Sequence, residues 1–165
     1  MNTKSKSLQL QIRVSPKEKA TIARYAKTAK MGISQWVLSK VLPPGQQVFQ
    51  ELLGRLKDGS SSKYILAQIH DMFNAAGADE FELMVAQPPG VPLSDYLANY
   101  VAAMIEYTAV KKGKKAPSWV SQVPPLKIPV FGSDLKSLQL YLLTHSPPPF
   151  RRRSIFIDAT VGQRI

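Results

Sequence analysis

The sequence predicts a mainly α-helical protein in three parts: a strand–helix–helix module (residues 1–45), a small helical bundle (46–115) and a proline-rich, partly extended tail (116–165). Three observations carry that expectation. Helix-starting and helix-ending residues punctuate the first two parts, and apolar side chains between them recur three and four positions apart. Seven of the 13 prolines fall in the last part, alongside five of its large aromatic residues, Trp119, Phe131, Tyr141, Phe150 and Phe156.

Composition sets the outer limits. With 44% hydrophobic and 20% charged residues in 165, the chain has material for a core and does not read as a disordered tail. The absence of cysteine excludes disulfides and thiolate metal sites. The first residues, MNTKSKS, are polar and basic with no long apolar run behind them, so no secretory leader is apparent. No stretch approaches the roughly 18 apolar residues of a membrane span. A cytoplasmic protein without a membrane partner is expected.

The net charge of +11 is unevenly placed. Residues 1–42 hold nine Lys/Arg against Glu18, a balance of +8; residues 43–60 balance at zero, and residues 61–165 at +3. A basic module on a nearly neutral body suggests a polyanion-binding element attached to a part with another task. The plainer reading is a basic surface that keeps the protein soluble.

Taken in order, residues 8–14 alternate: Leu8, Leu10, Ile12 and Val14 share one face of a strand, and Gln9, Gln11 and Arg13 the other. Ser15 then reads as an N-cap, Pro16 as the first helical residue, and Glu18 as the partner closing a capping box. The helix that follows carries an apolar stripe of Ile22, Ala26 and Ala29 with Tyr25 at its edge, and Gly32 ends it. Ser34 caps a second helix whose Ile33, Val37 and Val41 can point inward, until Pro-Pro-Gly at 43–45 stops it. A single strand cannot satisfy its own backbone, so the economical solution is an antiparallel pairing with a second copy about a two-fold axis. Such a homodimer would present Gln9, Gln11 and Arg13 to the major groove, where amide and guanidinium forks read adenine and guanine edges. The amides at the start of the second helix, around Ile33 to Gln35, could clamp phosphate.

The run IRVSPKEKATIARYAKTAKMGISQWVLSKVL resembles the ribbon–helix–helix family of DNA-binding proteins, particularly its plasmid-borne branches, over residues 8–42. That resemblance implies base reading by Gln9, Gln11 and Arg13. It also implies a phosphate clamp at Gly32 and Ser34, to which the amides of Ile33 and Gln35 and the cations of Lys4 and Lys6 would add. The family usually carries charged residues on its reading strand as well as amides, so affinity here would rest more on Arg13 and the lysine-rich terminus. The competing reading is an ordinary edge strand beside solvated lysine-rich helices.

In the second part, residues 46–57 suit an amphipathic helix through Val48, Phe49, Leu52, Leu53 and Leu56, and DGSSS at 58–62 breaks it. Residues 63–77 read as a helix, DEFELMVA (79–86) is open between helix and strand, and QPPGVP (87–92) punctuates. The strongest helix runs from a Ser94 cap through Leu97, Val101, Met104, Ile105 and Thr108. The tail reads as a chain that packs along this bundle or wraps a partner, with one helix near 134–144. Its blocks NYVAAMIEY, PSWV and LLTHSPPPFRRRSIFID resemble those of uncharacterised bacterial proteins found beside abortive-infection-type nucleotidyltransferase toxins. That likeness implies an antitoxin that represses its own operon through its N-terminal part and neutralises a protein toxin through the rest. Phe150, Arg151, Arg152, Arg153 and Phe156 are the partner-binding candidates, forked cations bracketed by apolar anchors. A second phosphate contact, or a terminal strand with its arginines bonded to nearby acids such as Asp158, would use the same residues.

Nothing in the sequence calls for catalysis or a cofactor. His70 neighbours Asp71, but two histidines and no cysteine leave a zinc triad short of ligands. His145 sits in a proline-rich turn; Asp79, Glu80 and Glu82 lack calcium-loop spacing, and Gly54, Gly59 and Gly90 are isolated. No metal site is expected. The expectation is therefore a dimeric, operator-binding antitoxin that is not an enzyme. The alternatives are a plasmid mobilisation or partition accessory protein using the same DNA module, and a protein-interaction scaffold that does not bind DNA.

Overall fold

In a computed structural model, described here for residues 11–41, 44–57 and 62–158, the chain divides into two compact units, Met1–Val41 and Leu42–Ile165. Secondary structure is mainly α-helical, with one small pair of strands near the C-terminal end.

The first unit is a helical hairpin, α1 (Pro16–Thr28) and α2 (Ile33–Val41). The expected capping box forms: Ser15 donates to Glu18 Oε2 from its N–H (2.7 Å) and hydroxyl (2.8 Å), and the Glu18 N–H donates to Ser15 Oγ at 3.3 Å. The bond from the Ser15 backbone, then that from its hydroxyl, holds the Glu18 carboxyl below its ordinary pKa. The far end of α1 differs from expectation. Its left-handed residue is Lys30 (φ 54°), not a glycine, with Lys30 N–H donating to Lys27 O and Met31 N–H to Ala26 O. Those two bonds make a Schellman motif. Trp36 N–H donates to Gly32 O at 2.8 Å, so α2 starts two residues earlier than a Ser34 cap would place it, with Gly32 as its N-cap.

The ribbon–helix–helix fold expected of residues 1–45 is not what the structure contains. Among the described residues of this unit no strand forms, and Gln11 to Ser15 are irregular. Ile12 and Val14, which a ribbon would bury against the helices, are 57% and 42% exposed. The physical reason is the one that made the strand conspicuous: its backbone needs a ladder partner, and the chain supplies none beside it. Lys4, Lys6 and Gln9 lie outside the described residues. The expectation of an autorepressing, operator-binding antitoxin depended on that ribbon and is withdrawn with it.

The second unit is built around α6 (Asp95–Lys111), started by Ser94, whose Oγ accepts from Leu97 N–H. Ten of its residues are buried, among them Leu97, Val101, Ala102, Ile105 and Ala109, because alanines let neighbours approach on more than one side. It ends in a second Schellman motif, here with Gly113 at φ 65°: Gly113 N–H donates to Val110 O and Lys114 N–H to Ala109 O. Helices α3 (Pro44–Lys57), α4 (Ser62–Ala75) and α5 (Ala78–Met84) complete the bundle. The open segment at 79–86 therefore resolves as helix as far as Met84. Phe73 joins the three, 5.4 Å from Phe49 and edge-on to Phe81 at 5.1 Å.

The last part packs on α6 through α7 (Ser118–Ser121) and α9 (Pro148–Arg151), while α8 (Lys136–His145) lies against the strand at Ile155–Phe156. Strands β1 (Val130–Phe131) and β2 (Ile155–Phe156) pair in parallel, Val130 opposite Ile155. Phe150 lies against Tyr100 at 5.3 Å, and Ile155 and Ile157 are buried in the same core. Burial beside Tyr96 pushes the Tyr100 hydroxyl up to about 12. Among the described residues no helix is long and apolar enough to cross a membrane.

Candidate interaction surface

Among its described residues the first unit has very little interior. Ala26 is its one buried residue among those described; Ile22, Met31, Trp36, Val37 and Leu38 are half-buried. Ile33 (47% exposed) and Val41 (66%) were expected to point inward and do not. With Val37 between them at four-residue steps, they form an aliphatic ridge along one side of α2.

Beside that ridge stands an aromatic pair. Tyr25 of α1 and Trp36 of α2 stack with centroids 5.8 Å apart and planes 12° from parallel. Arg24 lies over the Tyr25 ring at 5.4 Å, and Lys40 over the Trp36 ring at 6.0 Å. Helical spacing explains the second, since Lys40 follows Trp36 by one turn; the first is a contact between sequence neighbours on α1. A stacked aromatic pair with a cation at each ring, beside exposed aliphatic residues, has the composition of an interface centre. Sequence reasoning placed Tyr25 only at the edge of a stripe and missed its pairing with Trp36, because no local pattern tells which residues of two helices will meet.

The residues expected to read bases or clamp phosphate are placed plainly. Gln11 and Arg13 are exposed on irregular chain; Gly32, Ile33, Ser34 and Gln35 are exposed at the start of α2. No ribbon brings Gln11 and Arg13 onto a common face.

The expected partner-binding residues of the tail divide between interior and surface. Phe150 and Arg153 are buried in the second unit, Phe156 is half-buried and stacks on Phe131 at 4.9 Å, and Arg151 and Arg152 are exposed. Arg153 Nη2 donates to Glu106 Oε1 (2.6 Å) and Val120 O (2.9 Å); its Nη1 donates to Asn99 Oδ1 and Val123 O, both at 3.2 Å. Arg152 reaches the other oxygen of the same carboxylate, Glu106 Oε2, at 3.2 Å. Arg153 therefore ties the tail to α6 and α7, and Arg152 adds a second bond to α6.

The second unit also exposes apolar surface. On α8 only Leu142 is buried, while Leu138, Leu140, Tyr141 and Leu143 face solvent. A cleft of about 330 Å³ is lined by Pro88, Pro89, Leu93, Ala98, Trp119 and Val123 among others. Its walls are fixed: Trp119 Nε1 donates to Val85 O at 2.9 Å, and Gln50 accepts from Gly90 N–H (2.8 Å) and donates to Pro88 O (3.1 Å).

Chemistry-bearing groups are dispersed. His70 lies beside Asn74, and the His145 ring stacks on Tyr141 at 3.9 Å. Among the described residues no group of three or more His, Asp or Glu is arranged to hold a metal ion. No protein-family model, curated protein or solved structure matches this chain.

Proposed function

We propose that this protein is a protein-interaction scaffold, in which a basic helical hairpin acts as a docking element and a helical body carries it. The observation that supports this is the hairpin's scant interior among the described residues: Ala26 is buried while Tyr25, Ile33 and Val41 stand exposed. A unit of about 40 residues rarely buries enough surface to hold itself together without a metal, a disulfide or a partner. The chain has no cysteine, which leaves a partner as the simplest source of the missing burial. Covering the exposed halves of Ile33 and Val41 would contribute about 1 kcal/mol each, half of the roughly 1.5–3 kcal/mol for a fully buried aliphatic side chain. Interface-type residues at the same place, Tyr25, Trp36 and Arg24, support the same reading.

The test is differential capture. The full chain and an Ile33→Ser/Val41→Ser variant are used as baits in nuclease-treated host-cell lysate. The scaffold reading expects a protein retained by the native chain, lost from the variant, and able to re-form the complex from purified components. Equal retention by both baits would remove the hairpin from the role.

A further inference from the structure

We infer that the hairpin receives an acidic amphipathic helix of a partner protein, laid along the Ile33–Val37–Val41 ridge as a third helix. The inference rests on the scaffold reading and names the chemistry of its partner. Ile33, Val37 and Val41 follow one another by four residues, so the ridge runs along the helix axis for about 12 Å, the length of two turns. A ridge of that kind packs into the groove between residue rows of another helix. Both backbones of the hairpin are already bonded within α1 and α2, so no open sheet edge is offered to an extended peptide.

Charge decides the partner's flanks. Residues 11–41 hold seven Lys/Arg and one acid, Glu18, whose carboxylate is occupied by Ser15. A second copy of the same face would bring like charges together, which disfavours self-association through it. Arg24 and Lys40 sit at the two rings of the Tyr25–Trp36 pair, and Trp36 and Lys40 neighbour the aliphatic ridge, three residues after Ile33 and Val37 on α2. A helix with a Leu/Ile seam and Asp/Glu beside it matches both features. Nucleic acid would satisfy the cations and leave the aliphatic ridge uncovered.

The experiment titrates the full-length protein with a synthetic Leu/Glu amphipathic helix, followed by Trp36 and Trp119 emission and by calorimetry. Parallel titrations use the same seam with lysine flanks, polyglutamate, duplex DNA, and phosphatidylcholine/phosphatidylserine vesicles. The expected result is binding of the Leu/Glu helix that weakens with salt and falls at least tenfold in Ile33→Ser/Val41→Ser and, separately, in Arg24→Glu/Lys40→Glu. Because these side chains are exposed, circular dichroism should report folded variants. Polyglutamate binding equally well would overturn the helix, and tighter binding of DNA or vesicles would overturn the protein partner. If the lysine-flanked helix binds through Ile33 and Val41 and the Leu/Glu helix does not, the acidic partner is wrong and the scaffold reading stands. If no helix binds, the inference falls, and the capture experiment then decides the scaffold reading separately.

Discussion

Arg153 Nη2 and Glu106 Oε1 lie 2.6 Å apart where the tail meets α6, with both side chains largely withdrawn from solvent. The pair is joined by Asn99, which accepts from Arg153 and donates to Asp95 O and Pro124 O. Arg153 Nε alone is left without a protein partner. Removing one member of such a buried pair leaves the other charged and uncompensated, which costs about 3–5 kcal/mol. Arg153→Met should therefore lower the stability of the second unit by that order, and Glu106→Gln by somewhat less, since the amide still accepts one bond. Arg151→Met, at an exposed neighbour, should change it by less than about 0.5 kcal/mol. Chemical denaturation of the three variants, with Trp119 as reporter, checks the order; equal effects would mean the triplet acts only as surface charge.

The two Schellman motifs give a matched pair of opposite predictions. Lys30 holds φ 54° where α1 ends, and Gly113 holds φ 65° where α6 ends. A left-handed conformation costs a residue with a Cβ about 1 kcal/mol relative to glycine. Lys30→Gly should raise the stability of the first unit by up to about 1 kcal/mol, and Gly113→Ala should lower that of the second by a similar amount. Nothing lies within 4 Å of a Cβ built on Gly113, so its cost is conformational rather than steric. Thermal melts of each variant, read unit by unit through amide exchange, measure both signs.

Those local signals were also the legible part of the sequence. The Ser15–Glu18 box and the Ser94 cap are contacts within four residues, and both formed. The apolar spacing of Val48, Phe49, Leu52, Leu53 and Leu56 likewise named the buried positions of α3, except that Val48 is exposed. Reading failed where an element's fate depends on what it pairs with. The alternation at 8–14 states that a strand could form, not that a partner exists. The Arg151–Arg153 run left open whether its arginines face a partner or bond to acids, and the turn through α9 divides them: Arg153 is buried against Glu106 and Arg151 stays exposed. The candidate surface was least legible of all, since Tyr25 and Trp36 meet only through the packing of α1 on α2.

Tyr100 gives the second unit a dependence on alkaline pH. Its hydroxyl is pushed from an ordinary value of 10.0 up to about 12, first by burial and then by Tyr96. The folded state thus holds its proton where the unfolded state releases it. Stability from this group is complete below pH 10 and declines as pH rises from there toward 12, by on the order of 2 kcal/mol. Tyr100→Phe should flatten that part of the stability–pH curve relative to the native protein. A difference curve between the two proteins cancels the lysines they share, and an unchanged slope would refute the assignment.

The sharpest contrast between the units should appear in their opening. The second unit encloses a continuous core from Phe49 through Ile157, while the described part of the first buries Ala26 alone. Local opening free energy follows buried apolar contact, so amides of α1 and α2 should exchange at least a hundredfold faster than those of α6 in the purified protein. Binding a helix at Ile33 and Val41 should slow the hairpin amides and leave α6 unchanged, because ligand stabilises only the unit whose folded form it contacts. Native-state hydrogen exchange with and without the Leu/Glu helix reads both. Hairpin amides as protected as α6 in the free protein would mean that this unit already has the burial it needs and that Ile33 and Val41 await no partner.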